Sequence, residues 1–484
     1  MKILSIASEA SGFAKTGGLA DVAGVLPLVL ASLGHEVSLI LPYYKQIKLK
    51  HLDAKKVSEK RYSLTIGKEE YSYMLLKYHY KNINVFFIEQ DDLFNRVNLY
   101  GDGEKSYDDN IIRFAFFNRV SVNLLEANII SPDIVHLHDW QTGLIPLLLK
   151  INKNKKLSNL PTLFTIHNLA YQGLFVKENY NFLNLPWSFF NIEGLEFFDQ
   201  INFLKAGLVY STLINTVSEK YCKEIQTKEF GAGLDGIVQK RKNDLHGILN
   251  GADYLEWNPE VDDYIKINYS IEDFQKKQIC KKDLLDCFNI DKKYHDYPVF
   301  GFVGRLAKQK GVELIIDVLP DLLKKKTIFI MLGIGNKTYE DSLHEISEKH
   351  KDRMGLAVDF SNSLAHKIIA GSDFFLMPSE YEPCGLSQIY ALKYGTLPIV
   401  RATGGLDDTI KECDFNTLQG TGFKFELMTK DSFNDSLSKA ISLYNDKTKL
   451  LQIIKNAMNE NFSWEKSALK YIELYEMSKA KVRV

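Results

Sequence analysis

Short apolar runs alternate with helix-spaced stretches along the whole chain. The first run, Ile3-Leu4-Ser5-Ile6-Ala7, reads as a buried strand. A glycine-rich turn from Gly12 to Asp21 follows it, and a helix is expected from Ala20 to Leu33, stopped by Gly34. Pro27 falls inside that helix, where it costs a hydrogen bond, so a kink or a late start is expected. Further strands are predicted at Val37–Leu41, Asn84–Ile88, Asp133–Leu137, Thr162–Ile166 and Leu213–Val217. A second series begins with Val299–Val303 and continues through Thr327–Leu332, Phe374–Met377 and Leu397–Val400. Strands alternating with helices argue for an α/β fold with parallel sheets covered by helices.

The polar stretch from Asp244 to Tyr254 holds two glycines and reads as a crossing between domains. Lys276 to Phe288 reads as a charged helix. The expected organisation is a first domain over residues 1–245, a second over 246–464, and a C-terminal helix over 465–484 that packs back on the first. The halves echo each other: Thr16-Gly17-Gly18-Leu19-Ala20-Asp21 resembles Thr403-Gly404-Gly405-Leu406-Asp407-Asp408, each at the start of a predicted helix. Two such nucleotide-binding domains are expected to face each other across a deep cleft.

Composition narrows the class. With 484 residues the chain is long enough for two or more domains. Its net charge of -1 gives no global field toward nucleic acid or an anionic membrane. The five cysteines are scattered, without a CxxC pair, which fits a reducing cytoplasm. No apolar run approaches the roughly 18 residues of a membrane helix, and the first apolar stretch, interrupted by Glu9, does not read as a signal peptide.

Several loops carry candidate chemistry. Glycines between a strand and a helix let backbone approach a ligand, and the amides of the helix start favour an anion. Lys15 adds a full charge to the first such loop. A nucleotide phosphate is the expected guest, with a plain tight turn as the other reading. Gly304 to Gly311 repeats the arrangement with Arg305 and Lys310, a planar fork and a point charge for one phosphate cluster. A solvated basic loop is the alternative there. In Ser379 to Leu386, Pro383 holds Glu382 extended, and a helix is expected to begin at Cys384 and Gly385 with Glu382 near its positive end. A fixed carboxylate beside free amides suits sugar hydroxyls; simple capping is the other reading. Cys384 reads as a backbone-donor position, since no base lies near it in sequence. Asp139 and His167 follow strand ends, where open parallel sheets bind ligands; a satisfied polar group is the other reading. Metal-ligand spacing and a Ser/His/Asp triad are both missing from the sequence.

Seven motifs then occur in order: Lys-Thr-Gly-Gly-Leu at 15–19, His-Asp-Trp at 138–140, His-Asn-Leu-Ala-Tyr-Gln-Gly at 167–173, Asn-Gly-Ala-Asp at 250–253, Gly-Arg-Leu-x-x-Gln-Lys-Gly at 304–311, Glu-Pro-Cys-Gly-Leu-x-Gln at 382–388 and Thr-Gly-Gly-Leu at 403–406. Over nearly its whole length the chain resembles the bacterial glycogen synthases, a family shared with plant starch synthases. The resemblance implies a GT-B glycosyltransferase, with two Rossmann-like domains whose parallel sheets face an interdomain cleft. It implies transfer of glucose from ADP-glucose to the non-reducing end of an α-1,4-glucan such as glycogen, with retention at the anomeric carbon. Neither a metal nor a cofactor is implied, nor a nucleic-acid or membrane partner.

By the same resemblance Lys15 and the amide of Gly18 contact the donor, and Arg305 and Lys310 contact the leaving diphosphate. Glu382 binds the sugar, with Cys384, Gly385 and Leu386 beside the donor. Asp139 and His167 surround the glucosyl group, Asn250 borders the site and Phe360 lies near the adenine. Two positions depart from the pattern. Tyr390 stands eight residues after Glu382, where many retaining relatives carry a second glutamate. Phe360 replaces a tyrosine, which keeps a stacking face without the hydroxyl. The stretch from Tyr100 to Arg113, with Asp108, Asp109 and Asn110, reads either as an acceptor contact or as a surface loop. A related transferase using UDP-glucose or a small acceptor is the alternative. A pure glucan-binding module would not need the cation pair, and a phosphorylase would need a pyridoxal phosphate lysine that the sequence does not reveal.

Overall fold

The structure, a computed structural model, describes residues 1–102 and 105–483. The chain divides into two compact units, Met1–Gly251 with Trp464–Val484, and Ala252–Ser463.

The first unit is built on a ten-stranded sheet. Seven of its strands are parallel: Lys2–Ile6, Glu36–Pro42, Ile83–Glu89, Ile134–His138, Thr162–Ile166, Leu213–Thr216 and Leu245–Gly247. Numbered along the chain, they lie in the order 3-2-1-4-5-6-7. Glu69–Tyr80 adds antiparallel to the Ile83–Glu89 side. Ile134–His138 and Thr162–Ile166 are buried at every position, the signature of strands covered on both faces. The second unit has six parallel strands, Val299–Val303, Ile328–Leu332, Met354–Ala357, Phe374–Met377, Leu397–Arg401 and Phe423–Phe425, in the order 3-2-1-4-5-6. Both orders are those of doubly wound Rossmann-like sheets, which open a crevice at the carboxyl ends of strands 1 and 4, where the winding reverses. In the first unit that crevice lies between the loop after Ile6 and Asp139. In the second it lies between Gly304–Gly311 and the loop after Met377.

Local details depart from the sequence expectations. The first helix runs from Gly18 to Ser32, starts earlier than expected, and continues through Pro27, whose ring is buried. Gly24 explains how close the helix comes to the glycine-rich loop: a Cβ there would lie 2.1 Å from Ser11 Oγ and 2.7 Å from Ser11 N. The two TGGL segments are not topological equivalents. Gly18 opens the helix after the first strand of its unit, whereas Gly404–Thr409 follows the fifth strand of the second. The crossing falls between Gly251 and Ala252, because Leu245–Gly247 still pairs with Leu213–Thr216. The last helix, Trp464–Arg483, belongs to the first unit, where Tyr475 OH meets His136 Nδ1 at 2.9 Å. No helix among the described residues is long and apolar enough to cross a membrane.

Candidate active site

In the first unit, the strand Lys2–Ile6 delivers a loop held together by one carboxylate. Glu9 is buried and accepts hydrogen bonds from the Thr16 amide, from Thr16 Oγ1 at 2.9 Å and from Tyr100 OH at 3.2 Å. Burial pushes the Glu9 carboxyl up despite these donors. The clamp presents Lys15 at the surface, where its Nζ pairs with Asp21 in the first helical turn at 2.6 Å. Gly18 is exposed, with open space around its Cα.

Across the crevice, the strand Ile134–His138 ends in Asp139, which adopts a left-handed φ of 55°. Such a conformation costs energy in a non-glycine residue and is found at functional sites. It turns the carboxylate back so that Oδ1 accepts the His167 amide at 2.7 Å. Burial raises Asp139 to about 8, against backbone hydrogen bonds from His167 and Asn168. His167 is also buried, and its Nε2 meets His138 Nδ1 at 3.0 Å. Asp139 and His167 thus form one assembly. Asn250 is buried, and its Oδ1 has no hydrogen-bond partner among the described residues.

In the second unit, Lys308–Lys310 forms a 3-10 turn that aims Lys310 at Glu382. Their Nζ–Oε2 distance is 2.6 Å, and Ser379 Oγ donates to the same oxygen at 3.1 Å. Oε1 makes no hydrogen bond among the described residues. Glu382 is 6 % exposed. Arg305 stands exposed on the same loop. The expected helix at Cys384 does not form there. Gly385 takes a φ of +69°, and the helix is the short segment Ser387–Lys393, so Glu382 is not at its positive end. Gln388 holds the turn instead, donating from Nε2 to Cys384 O, Gly385 O and Thr409 Oγ1. Gly404 packs underneath: a Cβ there would lie 1.9 Å from Glu382 O. Leu386 precedes the helix as its cap residue.

Phe360 is 86 % exposed in the loop before the helix Asn362–Gly371. Among the described residues, neither Asn250 nor Phe360 hydrogen-bonds another candidate. Tyr390, at the position of the absent second glutamate, stacks on Trp257 at 4.5 Å. In the stretch from Tyr100 to Arg113, Gly103 and Glu104 lie outside the described residues. Asp109 is paired with Arg96, and Asn110 is buried against Arg113 and Tyr100 O, so these two serve the fold. Sequence reasoning missed Ser5 and Glu9. The signals were there: a polar residue inside an apolar strand, and a carboxylate at its end.

The comparisons agree with this architecture. Residues 2–240 match the family described as the starch synthase catalytic domain, and residues 287–460 match glycosyl transferases group 1. Two doubly wound sheets that match these two families in order define a GT-B glycosyltransferase. The glycogen synthase of Koribacter versatilis (strain Ellin345) is 43 % identical, over 99 % of this chain and 98 % of its own length. That of Geotalea daltonii is 43 % identical over 99 % of both. The chain belongs to the glycogen synthase family. Its structure is also similar to the catalytic domain of starch synthase IV from Arabidopsis thaliana bound to ADP and acarbose, with a TM-score of 0.91, 31 % identity and 99 % of both chains covered.

Proposed function

We propose that this enzyme transfers glucose from ADP-glucose to the non-reducing end of an α-1,4-glucan in the cytoplasm, with retention at the anomeric carbon. The observation that carries the reading is the Lys310–Glu382 pair at the crevice of the second unit, in a chain whose full-length relatives are glycogen synthases. An ammonium has three N–H donors, and Lys310 spends one on Glu382, leaving two for phosphate oxygens. Glu382 takes Lys310 and Ser379 on Oε2, leaving Oε1 for a sugar hydroxyl.

Breaking the glycosyl-phosphate bond builds charge on the diphosphate. Preplaced cations stabilise that charge, and Arg305 and Lys310 take this role in place of a metal. Lys15 and the Gly18 amide act on the same donor. Asp139 and His167 surround the glucosyl group and Asn250 borders the site, while Cys384, Gly385 and Leu386 lie beside the donor and Phe360 near the adenine. The leaving phosphate takes the acceptor's proton in a front-face substitution.

A donor panel with a glycogen primer tests the reading. Labelled glucose is expected to pass from ADP-glucose into glycogen, with retained configuration in the product linkage. A strong preference for UDP-glucose would remove the donor assignment, and no transfer to glucan from either donor would remove the reaction.

A further inference from the structure

The conformation of His167 is over-determined, and the group behind it is another histidine. His167 Nε2 faces His138 Nδ1 at 3.0 Å, and His138 Nε2 faces Ser5 Oγ at 3.2 Å. All three side chains are buried. His167 Nδ1 makes no hydrogen bond among the described residues and is not sealed from solvent. The row therefore has one open end, at the nitrogen of a residue anchored by its own amide to Asp139.

Desolvation holds the row neutral: it pushes His138 down to about 3 and His136 and His167 well below the ordinary imidazole value. In a neutral imidazole one nitrogen donates and the other accepts. Only two proton arrangements satisfy both bonds. In one, Ser5 donates to His138 Nε2, His138 Nδ1 donates to His167 Nε2, and His167 carries its proton on Nδ1. In the other every bond reverses, and the Ser5 hydroxyl proton must find a different acceptor. Ser5 Oγ has His138 Nε2 as its one partner among the described residues, so the reversed arrangement leaves a buried hydroxyl proton unbonded, which is costly. His136 does not compete. Its ring lies 4.2 Å from that of His138, but its nitrogens are taken by Thr165 Oγ1 at 2.7 Å and Tyr475 OH at 2.9 Å.

We infer that Ser5 and His138 are positioning residues that fix the His167 tautomer, so that His167 offers an N–H donor at Nδ1 to a substrate oxygen. His167 then acts as a hydrogen-bond donor to a sugar hydroxyl and not as a base. This rests on the proposed contact between His167 and the glucosyl group, and the test separates the two.

Full-length, ligand-free protein labelled with ¹⁵N-histidine is observed by NMR at neutral pH, and the His167 signals are assigned by their loss in His167→Gln. A protonated Nδ1 and an unprotonated Nε2 are expected. The opposite pattern, or an even mixture, in the wild-type protein would overturn the inference without reference to activity or to any variant's folding. In Ser5→Ala the pattern is expected to become mixed. Turnover should fall with the share of His167 left protonated at Nδ1, about twofold for an even mixture, while the donor KM stays within about twofold. An unchanged His167 pattern in Ser5→Ala would remove Ser5 from the relay. A mixed pattern with unchanged turnover would instead refute the contact between His167 and substrate.

Discussion

Replacing Lys310 by glutamine removes a charge from both partners that the proposed chemistry requires. In the free enzyme Glu382 would keep only the Ser379 hydroxyl, at 3.1 Å, on a carboxylate that is 6 % exposed. Breaking a fully buried pair costs about 3–5 kcal/mol, and an exposed pair about 0–1 kcal/mol. The Lys310 side chain is 22 % exposed and that of Glu382 8 %, so the cost should fall between these, about 1–2 kcal/mol. For a unit of this size each kcal/mol lowers the melting temperature by roughly 2–4 °C. The variant should therefore stay folded at assay temperature. Loss of one preplaced charge-stabilising group costs about 10²–10³ in turnover. Turnover is measured as glucose incorporated into glycogen at saturating donor, beside a thermal melt. The single variants Lys310→Gln and Glu382→Gln should be strongly non-additive, with the double variant within about tenfold of the worse single, if the pair acts on the donor as proposed. A Lys310→Gln enzyme that is folded and turns over within threefold of wild type would refute the argument, as would single effects that multiply.

Gly24→Ala should destabilise the first unit by about 1–3 kcal/mol, the usual cost of overpacking, because its methyl collides with Ser11 backbone; an unchanged melt would show that the loop yields. Gly404→Ala should abolish most turnover in a folded protein, since its Cβ meets Glu382 O at 1.9 Å and its φ of +45° already disfavours a side chain. Intact activity would mean that the Glu382 backbone is free to move. Asp139 has a folded value of about 8 against an ordinary 3.8, so its contribution to stability is present below the ordinary value and is lost as pH rises toward 8. Asp139→Asn keeps an oxygen for the His167 amide without a charge to bury. Its melting temperature relative to wild type should therefore climb from pH 5 to pH 8 and then level off, and a gap that does not change with pH would contradict the buried carboxyl.

Much of this molecule is legible in its sequence because parallel strands covered on both faces are short continuous apolar runs, as at Thr162–Ile166. The loops of the candidate site stand out in the sequence too, as glycines with isolated charges. Their internal geometry was less so. The helix expected at Cys384 starts at Ser387, because the positive φ of Gly385 and the bonds from Gln388 favour a turn that local propensity does not foresee. Partnerships between distant residues were not legible at all. Lys310 and Glu382 lie 72 positions apart, and Ser5 and His138 lie 133 apart. Each pair is created by strand order, which no local pattern encodes.

The helix Trp464–Arg483 completes a unit that the chain left at Gly251. During synthesis the second unit emerges whole while the first still waits for Tyr471 and Tyr475 to cover His136. The amino-terminal half must therefore remain unfinished on the ribosome until the last turns leave the exit tunnel. A chain broken off before those turns would release an intact carboxyl-terminal body joined to an amino-terminal one with an open seam, which is the kind of product that chaperones and proteases collect.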